Sequence, residues 1–85
     1  MAGNNKANHP ITIRGLIMPM DWDDRGNVTG VAISTSLEEE YRIELDRRGE
    51  ELLGFVRERV KASGKVRLDA QGRKVMMVDT YQILE

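Results

Sequence analysis

The sequence predicts an all-β fold, a five-stranded barrel with one short helix between the third and fourth strands. Apolar and polar residues alternate in five separate stretches, as in half-buried strands, and turns rich in glycine or acidic residues separate most of them. One further stretch carries its apolar residues at helical spacing. The predicted strands cover residues 11–20, 28–36, 41–45, 60–68 and 74–84, and the predicted helix covers residues 49–59.

Length and composition limit the chain to one small folded domain. It has 85 residues, of which 40% are hydrophobic and 32% are charged, a composition that is ordinary for a folded protein. It contains no cysteine, so neither a disulfide nor a thiolate metal site can support the core. We expect residues 1–9, which are polar and aperiodic, to form a flexible tail, and residues 10–85 to form the single domain.

Apolar runs are too short for a membrane span. The longest is Val75-Met76-Met77-Val78, whereas crossing a bilayer takes about 20 apolar residues. Residues 1–8 lack the apolar segment of a signal peptide. We therefore expect a cytoplasmic protein that makes no contact with a membrane.

The first strand follows Pro10 and is apolar on both faces. One face carries Ile11, Ile13, Gly15 and Ile17, and the other carries Leu16, Met18 and Met20. A strand that bends at Gly15 and serves both sides of a barrel explains this pattern. A polar turn over residues 21–27 then leads into the second strand, which carries Val31 and Ile33 on one face.

The third strand follows an exposed bend of three glutamates, residues 38–40. Its predicted inward residues are Tyr41, Ile43 and Leu45. In the helix, the residues spaced to coat one side are Leu52, Leu53, Phe55 and Val56. We expect this apolar side to close one end of the barrel.

The fourth strand has the most regular alternation in the chain. Its predicted inward residues are Val60, Ala62, Gly64, Val66 and Leu68, and its outward residues are Lys61, Ser63, Lys65 and Arg67. Residues 69–72 form the next hairpin turn, and the last strand ends in Ile83 and Leu84.

Three segments carry a family resemblance: Ile13-Arg14-Gly15 in strand one, Tyr41-Arg42-Ile43 in strand three, and Val60-Lys61-Ala62-Ser63-Gly64-Lys65-Val66 in strand four. With the order of elements, they make residues 10–85 resemble a stand-alone OB-fold domain of bacterial type. The resemblance implies a small, partly open Greek-key barrel, a fold that often binds oligonucleotides or oligosaccharides. The resemblance does not determine the function, because folds of this kind host many activities and the function depends on the residues of the site.

Basic residues concentrate towards the end of the chain. Residues 57–74 hold seven basic side chains against two acidic ones, although the whole chain has a net charge of −1. The candidate nucleic-acid-binding residues are Lys61, Lys65, Arg67, Arg73 and Lys74. Cations two residues apart on a strand lie roughly 6.5–7 Å apart, close to the phosphate spacing of an extended single strand. The OB-fold resemblance implies that the loop joining strands four and five borders the ligand groove.

These observations leave two interpretations of the basic residues. They form a stripe that binds single-stranded nucleic acid weakly, or they form a solvated face whose lysines prevent edge-to-edge pairing. Base-stacking aromatic side chains are scarce, because Tyr41 and Phe55 fall on apolar faces and only Trp22 and Tyr81 remain. This scarcity argues against a strong site.

Trp22 lies among aspartates in the turn after the first strand. We expect it to pack over the rim of the barrel. The alternative is an exposed anchor for a partner protein. The second hypothesis for function is therefore a protein-interaction module, including a homodimer, that uses Trp22 or an exposed strand edge.

Catalytic and metal-binding constellations are lacking in the sequence. One histidine and no cysteine are too few for a Ser-His, Cys-His or zinc site. The segment from Asp21 to Gly26 begins like a calcium loop, but Arg25 replaces an oxygen ligand and Ala32 replaces the closing glutamate. No glycine spacing matches a phosphate-binding loop. We expect a non-enzymatic protein without cofactor or metal.

Overall fold

A computed structural model describes residues 9–85 as a closed barrel of five strands. The strands are β1 (Ile11–Trp22), β2 (Val28–Thr35), β3 (Glu40–Ile43), β4 (Arg59–Leu68) and β5 (Lys74–Leu84). Helix α1 (Arg47–Glu51) and a 3-10 turn (Leu52–Phe55) connect β3 to β4. The strand order around the barrel is β1-β2-β3-β5-β4. The predicted fold class, five strands with a short helix between the third and fourth, is confirmed. The predicted tail largely falls in residues 1–8, which lie outside the described part.

Strand β1 closes the barrel because it pairs with two neighbours. Its first half pairs antiparallel with β4, from Ile11 opposite Gly64 to Leu16 opposite Arg59. Its second half pairs antiparallel with β2, beginning at Gly15 opposite Thr35. Among the strands of residues 9–85, only β3 and β5 pair in parallel. The prediction that the first strand serves both sides of the barrel is confirmed.

The core lies on the inward faces of all five strands and under the 3-10 turn. The largest fully buried side chains are Ile17, Ile33, Leu52, Met76, Val31 and Val60. Two residues that were predicted to point inward are instead exposed, Leu45 by 41% and Leu68 by 66%. Leu45 follows the end of β3, and Leu68 lies beyond Gly64, the last β4 residue that β1 covers.

The helix is shorter than predicted. Asp46 caps α1 at its N-terminus, where its carboxylate accepts a hydrogen bond from the Gly49 backbone N–H. The helical backbone ends before Arg57, whose positive φ of 73° turns the chain away. The apolar residues of this segment still cover the core, since Leu52 is fully buried and its apolar neighbours pack against the core. Within residues 9–85, no helix has the length and apolar character needed to cross a bilayer.

A β-bulge at Asp79 resets the alternation of β5. Ser63 pairs with Thr80, whereas the next residue, Gly64, pairs with Val78. The bulge lets Val78 and Tyr81 both face the interior, although they are three residues apart. Strict alternation along β5 cannot produce this arrangement.

Three hairpin turns share one hydrogen-bond scheme. A carboxylate oxygen of Asp23 accepts the backbone N–H groups of Arg25 and Asn27. Asp69 makes the equivalent bonds in the β4–β5 turn. These bonds, above all those from the Asn27 and Arg73 backbones, hold the pKa of Asp23 and of Asp69 below their ordinary values. In these two turns the fourth residue, Gly26 or Gly72, is a glycine with positive φ.

The β2–β3 turn repeats this scheme with different residues. The Thr35 hydroxyl accepts the backbone N–H groups of Leu37 and Glu39. The position that glycine holds in the other two turns is taken by Glu38, with a φ of 64°. A residue with a side chain is strained in this left-handed conformation.

Glu38→Gly is therefore expected to stabilise the protein, by about 1 kcal/mol, because glycine relieves the strain at positive φ. Chemical denaturation measures the change. As a control, Glu40→Gly places glycine inside β3 and is expected to destabilise by roughly 0.5–1 kcal/mol. Equal losses of stability in both variants would contradict the assignment of strain to Glu38.

Gly64→Val is expected to destabilise the barrel by about 3 kcal/mol, because a side chain has no room there. A Cβ atom at Gly64 would lie 2.0 Å from the Met77 carbonyl oxygen. Gly54→Ala is the control, since no atom outside its own helical turn and its chain neighbours lies within 4 Å of the added Cβ. Urea unfolding of both variants checks this prediction, and a Gly64→Val variant within about 0.5 kcal/mol of the parent would show that β5 can move away.

Candidate ligand-binding surface

Three of the five basic residues singled out in the sequence form ion pairs. Arg67 Nη2 lies 2.8 Å from Glu44 Oε1, and Arg73 Nε lies 2.8 Å from Asp69 Oδ2. Lys74 Nζ lies 3.2 Å from Glu39 Oε2 and 4.8 Å from the centre of the Tyr41 ring. These pairs offset the positive charge of the β4–β5 hairpin tip. Within residues 9–85, Lys61 and Lys65 form no such pair.

The register between β1 and β4 adds two cations that the sequence did not single out as site residues. Arg14 lies directly opposite Lys61, and Arg59 precedes Lys61 by two residues on the same face of β4. We call Arg14, Arg59 and Lys61 the basic patch. No carboxylate in the described part of the chain pairs with any of the three. Like charges opposite each other in an antiparallel pair are destabilising, so a bound anion would relieve repulsion here.

Leucines flank the basic patch at one end. Leu16 and Leu84 both lie opposite Arg59, one on each neighbouring strand. An open groove of about 400 Å³ runs between them, lined also by Arg14, Gly15, Ser36 and Arg59. The groove therefore combines two guanidinium groups with a small apolar surface.

Hydroxyl and amide groups lie on the other side of Lys61. A shallow groove of about 350 Å³ is lined by Lys61, Ser63, Thr80, Tyr81 and Gln82. The hydroxyls of Ser63 and Thr12 share a hydrogen bond of 2.7 Å across the strands. The outer face of β1, β4 and β5 thus offers both hydrogen-bond donors and acceptors around one lysine.

The aromatic side chains of the barrel offer this face no stacking platform. Tyr41 is buried, and burial together with its hydrogen bond to Glu39 raises its pKa. Phe55 packs against Tyr81 with ring centres 6.2 Å apart. The Tyr81 hydroxyl donates a hydrogen bond to Glu51, which raises its pKa. The core position predicted for Tyr41 is confirmed.

Trp22 is 56% exposed at the end of β1, so the expectation that it packs over the rim is wrong. Two register shifts between β1 and β2, next to Asp21, separate this end of the hairpin from the regular barrel. The Asp21 carboxylate is held 2.8 Å from Arg42 Nη2. Trp22 is therefore presented at a projecting hairpin end, beside carboxylates.

Residues 9–85 contain no group of three His, Asp or Glu side chains that could hold a metal ion. In the segment that resembles a calcium loop, Asp23 instead stabilises the β1–β2 turn by accepting hydrogen bonds from backbone N–H groups. Comparison with known proteins gives no assignment: no protein-family model and no curated protein matches the chain.

Trp22→Ala is expected to change the free energy of unfolding by less than about 0.5 kcal/mol, because the side chain is mostly in solvent. Fluorescence of the parent is expected to be quenched readily by acrylamide, and this chain has no other tryptophan to obscure the signal. A blue-shifted, quencher-protected emission and a loss of about 3 kcal/mol on truncation would instead indicate a packed residue.

Proposed function

We propose that the chain is an OB-fold binding module of bacterial type, non-enzymatic and cytoplasmic, that binds single-stranded nucleic acid weakly. The observation that carries the proposal is the basic patch: three cations meet on one sheet face without a carboxylate partner in residues 9–85. This shifts the proposed site along β4 from the hairpin tip towards β1. Lys65 extends it, whereas Arg67, Arg73 and Lys74 are already ion-paired.

The geometry of the patch suits a phosphate backbone. Arg59 and Lys61 are two residues apart, so their Cα atoms lie roughly 6.5–7 Å apart along the strand. Arg14 stands across from Lys61 and offers a guanidinium group, which binds phosphate oxygens in a bidentate manner. Successive phosphates of an extended strand can therefore meet successive cations.

The same surface supports weak rather than tight binding. Leu16 and Leu84 provide apolar contact for bases, but the face lacks the aromatic rings that give about 1–3 kcal/mol per stacked base. Three phosphate contacts imply a slope of about −2 for log K against log salt. We therefore expect measurable binding only at low ionic strength.

Arg59→Gln combined with Lys61→Gln is expected to abolish binding of a short oligothymidylate, because two of three phosphate contacts are lost. Fluorescence anisotropy at low salt measures the affinity. The parent is expected to show a salt slope of about −2, and Arg14→Gln alone is expected to lower its magnitude by about 0.7.

Arg67→Gln combined with Arg73→Gln is the matched control. It removes the same two charges, but from cations that already have carboxylate partners. Its affinity is expected to stay close to that of the parent. If the control loses binding and the Arg59/Lys61 variant does not, the site lies at the hairpin tip. If the parent does not bind at low salt, the nucleic-acid proposal fails.

A second function, anchoring of a partner protein, is favoured by the exposure of Trp22. Tryptophan is enriched among interface residues that dominate affinity. The carboxylates of Asp23 and Asp24 beside it suit a partner with lysine or arginine at the contact. Trp22→Ala would then weaken such a partner by about 2 kcal/mol or more while leaving folding unchanged.

A further inference from the structure

Part of β1 has a strand partner on one side only. Residues 11–14 pair with β4, but pairing with β2 begins at Gly15. In the described part of the chain, no strand lies along the other edge of residues 11–14. Every second residue of this segment therefore directs its backbone N–H and C=O groups away from β4 without a ladder partner.

A groove runs beside this free edge. It has a volume of about 410 Å³, and residues 11–14 line one side of it while Leu37 and Glu39 line the other. Leu37, in the β2–β3 turn, is 78% exposed, and Ile11 is 38% exposed. An unpaired edge with apolar side chains on either side is a template for pairing with another strand.

The free edge has few of the features that usually block such pairing. Residues 11–14 contain no proline, glycine or lysine and one charged side chain, Arg14, and Pro10 lies just before them. The segment of β4 that projects beyond β1 is different, since it carries Lys65 and Arg67. β5 carries a bulge at Asp79. Residues 11–14 of β1 are thus the segment that can pair with another strand.

We propose that two copies of this chain pair antiparallel along residues 11–14 across a two-fold axis. A second copy fits better than a foreign peptide because the surface is self-complementary. An antiparallel edge pairs with itself under two-fold symmetry. The groove also carries both signs of charge, with Arg14 on the strand and the exposed Glu38 in the turn opposite, beside Glu39, which is paired with Lys74. Leu37 and Ile11 supply the apolar part of the contact.

The dimer extends the barrel sheet. Strands β4 and β1 of one copy continue into β1 and β4 of the other, so both basic patches lie on one continuous sheet. A nucleic-acid strand that reaches both would bind with higher avidity than one patch allows. The dimer itself does not depend on nucleic-acid binding, and its test needs no ligand.

Light scattering after size-exclusion chromatography and sedimentation velocity, from micromolar to millimolar protein, tests the proposal. The expected mass rises from the 9.7 kDa of the monomer to twice that value as concentration increases. Leu37→Glu is expected to hold the protein monomeric with an unchanged melting temperature at low concentration. The control is Leu45→Glu, which removes an exposed leucine outside the groove and is expected to dimerise like the parent.

Hydrogen exchange locates the interface without any substitution. The outward amides of residues 11–14 are expected to exchange rapidly in dilute protein and slowly in concentrated protein, while the paired amides of β4 stay unchanged. A monomer at every concentration overturns the proposal. So does a dimer that leaves the exchange of residues 11–14 unaltered, since its interface lies elsewhere. This second measurement also decides the matter if Leu37→Glu does not fold.

Discussion

The double pairing of β1 is the constraint on which the rest of the structure depends. At Gly15 the strand has partners on both sides, Thr35 in β2 and Val60 in β4. A Cβ atom there would lie 2.3 Å from the Ser34 carbonyl oxygen, so the approach of β2 requires glycine. Because β1 pairs with β4 before Gly15 and with β2 after it, Arg14 lies opposite Lys61 and residues 11–14 have one free edge. Barrel closure, the basic patch and the edge proposed for dimerisation all depend on this one strand.

A cluster of basic residues in the sequence is not necessarily a cluster of free positive charge in the structure, because some of those residues form ion pairs. The basic stretch of residues 57–74 divides into cations that already face carboxylates and cations that do not. Exposed ion pairs contribute little to stability, but they lower the positive potential around the hairpin tip. Two of the cations without a carboxylate partner, Arg59 and Lys61, lie where β4 meets β1, next to Arg14. This separation explains why the patch, rather than the tip, is the better candidate for binding an anion.

The sequence reveals the strands and the inward residues of β4 up to Gly64, because burial on one face enforces strict alternation there. It does not reveal the partner of Arg14, since a cross-strand register depends on which strands meet. The inward residues of β5 are also not predictable from alternation, because the bulge at Asp79 interrupts it. The positive φ of Glu38 could not be predicted from the sequence, because its turn has Thr35 in place of aspartate and lacks the glycine that marks the other two turns. The exposure of Trp22 depends on how far the hairpin projects, which no local pattern encodes.

The proposed function is binding of single-stranded nucleic acid by the outer face of β1 and β4. Its most direct test is an NMR titration of isotopically labelled protein with a short oligothymidylate at low salt. We expect the turn of residues 69–73 to be little affected and the largest chemical-shift changes to occur at Arg14, Leu16, Arg59, Lys61 and Leu84. Changes confined to that turn, or to the hairpin end around Trp22, would contradict it.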